Sequence, residues 1–294
     1  MTQLVSKVQY KNFEVGEFVD IGERSFEETI ALINSFPWKA ERENIQISLT
    51  NPSITIEGKH NDFLKLSVYY QQKFILHYFD GNQTLLKKSF TRLQDAFPFI
   101  QTFFGQAPFD PAGFRKENTW LQSNLKHFVT QDFRYFLTPK SIRKYLWSKC
   151  WMSLPIFMGV FYMWVKTWSH PIDIGIWVYI FIMFFFVGGG VHLIFFFTYL
   201  KYAKGKILVM SRANDVFYYG EIDNPVKYDK KDLLECTIKI VNGSRNPYNA
   251  FAVVKLELKD GTIILIPNIL VDHLEMVHKL NAHKVVYDYG LPFI

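Results

Sequence analysis

His192 is the one histidine inside the longest apolar stretch of this chain, which runs without charge from Ile174 to Leu200. An imidazole at membrane depth can accept a proton, and polar groups in such settings are functional suspects by default. Gly188, Gly189 and Gly190 precede it and would let another backbone come close. Those three and Gly159 are read as helix-packing positions. His273, His278 and His283 recur every five residues, so they do not share a helix face as metal ligands would. No Cys-x-x-Cys pair, phosphate loop, nucleophile elbow or Gly-x-Gly-x-x-Gly turn occurs. The expectation is therefore a non-enzymatic chain without catalytic residue, metal or cofactor. Lys239 and Arg245, beside and on the loop NGSRNPYN (242–249), are the nearest approach to a ligand loop. Cys150 and Cys236 are too few and too far apart for a disulfide framework.

The elements that must carry these residues are dominated by two uncharged runs, Cys150–Val165 and Ile174–Leu200. A bilayer core takes roughly 20 apolar residues per helix, and the short segment KTWSHPID between the runs predicts an antiparallel hairpin. Charge then sets orientation. Residues 126–149 carry six basic side chains against Asp132 alone. Lys140, Arg143, Lys144 and Lys149 flank one end of the hairpin, and Lys201, Lys204 and Lys206 flank the other. The positive-inside rule places both flanks, and so both termini, in the cytoplasm. The expectation is a multi-pass protein of a bacterial inner (plasma) membrane, with transmembrane helices over 139–168 and 174–200. Its basic collar would attract anionic lipid headgroups at about 1 kcal/mol per residue. With the basicity concentrated where topology needs it, a nucleic-acid partner is not expected.

Two β-rich regions flank the hairpin. Residues 1–104 read as an α+β domain: a helix opened by the capping box Ser25–Glu28, an antiparallel meander, and a second helix opened at Thr91–Gln94. A linker over 105–117 and an amphipathic helix over 118–137 follow. From Lys204 to Ile294 the pattern returns to strands, at Lys206–Met210, Val216–Tyr219, Leu233–Val241, Ala250–Lys259 and Thr262–Ile266, with Asp260-Gly261 as a hairpin signal. A closing amphipathic helix runs near Ile269–Leu280.

An antiparallel run capped by one C-terminal helix resembles the bacterial pleckstrin-homology-like (PH-like) domains, over about 80 residues from KGKILVMS to LEMVHKL. The resemblance implies a β-barrel of about seven strands, of which five are legible. Lipid-binding members of the wider family use a basic cluster between their first two strands. Here, after the strand Lys206–Met210, Arg212 stands almost alone beside Asp215, and that weak basic signature points to a protein partner rather than a lipid. The fold class expected is a membrane α+β protein, with a helical hairpin between an N-terminal α+β domain and a C-terminal PH-like barrel. Its function would be that of an adaptor presenting two cytoplasmic domains to a protein partner of unknown identity. The alternatives are an immunity protein against a membrane-active toxin, and a channel or transport subunit in which homo-oligomeric hairpins line a path with His192.

Overall fold

The computed structural model describes residues 2–43, 49–81, 84–105, 109–116, 125–150, 190–243, 247–280 and 285–294, with isolated positions between 151 and 189. The chain divides into two compact units, Met1–Asp132 and Phe133–Ile294.

The first unit comprises β1 (Leu4–Gln9), β2 (Val19–Arg24), α1 (Phe26–Ser35), α2 (Trp38–Glu41), β3 (Ser53–Glu57), β4 (Phe63–Val68), β5 (Phe74–Phe79), β6 (Leu85–Phe90), α3 (Phe97–Phe104) and β7 (Arg115–Lys116). The strands form one sheet in the order β2-β1-β3-β4-β5-β6-β7, every pairing antiparallel. The capping box at Ser25 forms as read, its hydroxyl accepting from the Glu28 amide and the Glu28 carboxylate accepting from the Ser25 amide. The second box shifts by one residue, to Arg92 and Asp95, because Asp95 reaches back to the Arg92 amide. One sheet face is apolar, with Leu4, Val8, Ile54, Leu64, Leu66 and Leu76 packed against Ile33 of α1 and Ile100 and Phe104 of α3. The other face is buried and polar. Lys7, Gln9, Ser53, Thr55, Lys65 and Ser67 are shielded there, beside a small aromatic cluster of Phe63, Phe79 and Phe128.

The second unit opens with β8 (Arg134–Phe136), α4 (Pro139–Cys150) and α5 (Gly190–Ala203). It continues through β9 (Lys206–Val209), β10 (Val216–Glu221), β11 (Asn224–Asp229), β12 (Leu233–Ile240), β13 (Ala252–Leu258), β14 (Ile263–Pro267), α6 (His273–Lys279) and β15 (Val285–Tyr289). Two four-stranded sheets result, β11-β10-β9-β8 and β14-β13-β12-β15, with β15 lying parallel to β12 and every other pairing antiparallel. Asp260-Gly261 turns β13 into β14 as read. Gly261 takes φ +83°, which favours glycine, and Asp260 Oδ1 accepts from the Thr262 amide at 2.8 Å. In this unit three strands escaped the pattern reading: β8 is only three residues long, β11 contains Pro225, and β15 lies beyond the closing helix; in the first unit β1, β2 and β7 escaped it too.

The expected membrane architecture is corrected. Among the described residues no helix is long and apolar enough to cross a membrane. The molecule is dominated by three sheets, with fifteen strands among the described residues. Much of the two apolar runs on which the spans 139–168 and 174–200 are read, Gly188 and Gly189 included, falls outside the described residues. The described end of the second run, α5, serves a protein core. Phe195, Phe196, Tyr199 and Ala203 are buried there with Phe217, Ile238, Phe251, Val254 and Met276. Composition cannot separate a helix covered by lipid from one covered by sheet, because either covering removes the same apolar surface from water. The amphipathic helix expected over 118–137 is also corrected. Its described part holds a short 3-10 turn at Leu125–His127 and the strand β8. There the apolar residues serve two separate cores, Phe128 that of the first unit and Tyr135 that of the second.

Candidate ligand-binding face

Strand β8 ends at Phe136, directly opposite Ile207 of β9. The chain between those strands therefore leaves and re-enters the sheet at one end. It leaves through a cap: Thr138 Oγ1 accepts from the Ser141 amide at 3.0 Å, and Ser141 Oγ accepts from the Thr138 amide at 2.9 Å. Pro139 opens α4, where its missing N–H would have had no helical partner. The chain re-enters from α5 through Gly205, at φ +78°, whose carbonyl accepts from the Ile222 amide at 2.9 Å.

The inner side of α4 is anchored. Ile142, Tyr145 and Leu146 pack on the core of the unit, and the Tyr145 ring stacks on Phe196 of α5 at 6.3 Å. Tyr145 Oη donates to Asn268 Oδ1 at 2.6 Å, and Asn268 Nδ2 donates to the Ala250 carbonyl at 2.9 Å, so the buried polar group is satisfied. With one side pinned, the other must face out. Lys140, Arg143 and Lys144 are exposed on it, as is Trp147, and α4 carries no acidic residue. Lys201 and Lys204 are exposed where α5 returns. The pairing of β8 with β9, and the contact of α4 with α5, bring the start of one helix and the end of the other to the same end of the sheet. Two basic flanks separated in sequence thus lie at the same end of the sheet.

The remaining predicted residues are placed as follows. Lys206 is half-buried, its Nζ 3.5 Å above the Tyr202 ring. Lys149 is half-buried near His273, whose pKa is lowered by burial and by Lys149 against the opposing pull of Asp272. His192 is buried, with its ring 4.9 Å from Tyr248 and 5.5 Å from Phe251, inside the aromatic core. Gly190 is buried at the start of α5, whereas a Cβ at Gly159 would touch nothing within 4 Å. Lys239 is half-buried on β12, its Cε 3.8 Å from a Cβ built at Gly290, and Arg245 lies outside the described residues. Among the described residues no group of three or more His, Cys, Asp or Glu side chains could hold a metal ion. Cys236 is buried, and burial followed by Glu235 pushes its thiol up to about 12, away from nucleophilic use.

The PH domain family matches residues 134–279. No curated protein matches the chain, and no solved structure does. The match begins ahead of the apolar runs, so the strand read as the first is in fact the second. The segment between the first two strands is 137–205, carrying α4 and α5 in place of the isolated Arg212. With no membrane-crossing helix among the described residues, the integral-membrane adaptor is overturned, as are the multi-pass inner-membrane location and the two-span membrane partnership. The immunity and channel readings, which needed the same spans, find no support either. Seven strands in two sheets followed by α6 account for the matched region: residues 134–279 form a PH-like domain.

Proposed function

We propose that this protein is a non-enzymatic recognition protein whose PH-like domain takes an anionic, phosphate-bearing ligand on the basic face of α4 and the end of α5. The observation that carries the reading is the position of Lys140, Arg143, Lys144, Lys201 and Lys204, all exposed and all between the first two strands of the matched region. Exposed lysine and arginine can meet phosphate oxygens through charge-assisted hydrogen bonds, and arginine can do so in bidentate fashion. Trp147, 62% exposed on the same helix, adds an apolar shelf beside the charges.

Calorimetric titration of the full chain with inositol hexakisphosphate tests the reading. Vesicles of phosphatidylcholine with and without phosphatidylserine separate a free phosphate ligand from a headgroup. The expected result is binding that weakens as salt rises, since exposed charges are screened over about 8 Å at physiological ionic strength. Replacing Lys140, Arg143 and Lys144 together by glutamate should lower affinity by more than about tenfold, each tenfold being ~1.4 kcal/mol. Unchanged binding by that variant would overturn the reading.

A further inference from the structure

The polar face of the N-terminal sheet has no part in that function, yet it is organised. Strand register lines up one residue from each of six strands. Lys7 lies opposite Thr55, Thr55 opposite Lys65, Lys65 opposite His77, His77 opposite Lys87, and Lys87 opposite Arg115. Two residues along, on the same face, Gln9, Ser53, Ser67, Ile75 and Ser89 form a parallel row. Lys7, Thr55, Lys65, Ser53 and Ser67 are at most 1% exposed, and His77 is 6% exposed.

Buried cations are ordinarily paired. Lys7 is, to the Glu57 carboxylate. Lys65 is not: its Nζ donates to Gln9 Oε1 at 2.8 Å and to the His127 carbonyl at 3.1 Å, both neutral acceptors. The rings of Phe18 and Phe128 lie 5.5 and 5.7 Å from it. On the same face, Ser53 Oγ, Thr55 Oγ1, Ser67 Oγ and His77 Nδ1 are all buried without a hydrogen-bond partner. One buried orphan of this kind costs ~1–3 kcal/mol, so four on one face form a consistent pattern. Burial, and then the neighbouring Lys7, lowers the Lys65 pKa to about 7, as befits a cation without a counter-ion.

What Lys65 lacks is a negatively charged acceptor. Water would satisfy the hydroxyls and leave the charge. We infer that the N-terminal domain binds a small tetrahedral oxyanion of the phosphate or sulfate type between Lys65, Ser53, Thr55, Ser67 and His77. Neighbouring strands lie ~4.8 Å apart, so Thr55, Lys65 and His77 span about 10 Å. A row of that length matches one small ion and is too short for a nucleotide.

The test uses the full chain carrying the three α4 glutamates, which silences the surface face, in chloride buffer. Thermal unfolding is followed against added inorganic phosphate and, separately, sulfate. Either anion should raise the melting temperature saturably. Lys65→Met, which keeps most of the volume and removes the charge, should abolish the rise. Ser67→Ala should weaken binding by about tenfold, the equivalent of ~1.4 kcal/mol. If Lys65→Met does not fold, Ser67→Ala and Thr55→Val decide. No rise with either anion would overturn the inference, and so would a rise that Lys65→Met leaves in place or an affinity that Ser67→Ala and Thr55→Val leave unchanged. An ordered water alone among the four orphans, in crystals grown from phosphate, would overturn it equally.

Discussion

Lys65 and His77 sit opposite each other on adjacent strands, and burial acts on both against the charged form. For Lys65 the folded pKa is about 7 against an ordinary value of 10.5. Below pH 7 both states carry the proton and the burial penalty is felt in full. Between 7 and 10.5 the unfolded chain binds more protons, so stability rises with pH across that window. In anion-free buffer the melting temperature should climb from pH 7 to 9.5, and Lys65→Met should reduce the slope, leaving the part due to buried Lys7, while adding up to a few kcal/mol of stability at pH 7. His77 acts at the acid end. Burial, then Lys65 and Lys87, lowers its pKa to about 3, so the folded state keeps it neutral while the unfolded chain protonates it near 6.5. Stability present above 6.5 is lost as pH falls toward 3, and His77→Asn should blunt that loss in acid titrations followed by circular dichroism. Neither residue stood out in the sequence. FLKLSV reads as a strand of the meander, and in such antiparallel strands one side is ordinarily wet, while LVSKVQ is not read as a strand at all. That this second side is covered depends on residues such as Phe18 and Phe128, far away in sequence.

Elements were legible where a local rule dictates them. The Ser25 box and the Asp260-Gly261 turn form, and the Thr138 cap of α4 follows the same local logic, because each depends on groups within a few residues. Thr138→Ala should cost about 1 kcal/mol in denaturant unfolding, the usual loss for a removed N-cap. Helix α5 shows where local reading stops. Its uncharged, aromatic sequence suits a bilayer, yet Phe195 and Tyr199 are completely buried, and Tyr199 Oη donates to the Pro292 carbonyl at 2.7 Å. Phe195→Ala should therefore destabilise the PH-like domain by about 3–5 kcal/mol, the range for emptying an aromatic core site. A loss under 1 kcal/mol would contradict the core assignment.

At the scale of the whole molecule, each of the two units carries its own core, so unfolding should resolve into two transitions. Differential scanning calorimetry should show Lys65→Met moving one transition and Phe195→Ala the other; a shift of both by either substitution would refute independent cores. The sequence by itself determined the β-rich character of both halves, the PH-like order of strands and closing helix, and the clustering of basic residues around the apolar runs. These follow from side-chain period, turn chemistry and charge, which are properties of neighbouring residues. Only the tertiary structure decided that β8 precedes the helices as the first strand of the PH-like domain, and that the described end of the second run belongs to a protein core. It alone brought the basic flanks to one end of the sheet and stacked Lys7, Thr55, Lys65 and His77 into a buried row. The physical reason is that burial and cross-strand register are set by partners dozens of residues away. The same lysine or phenylalanine has a different solvent once those partners arrive.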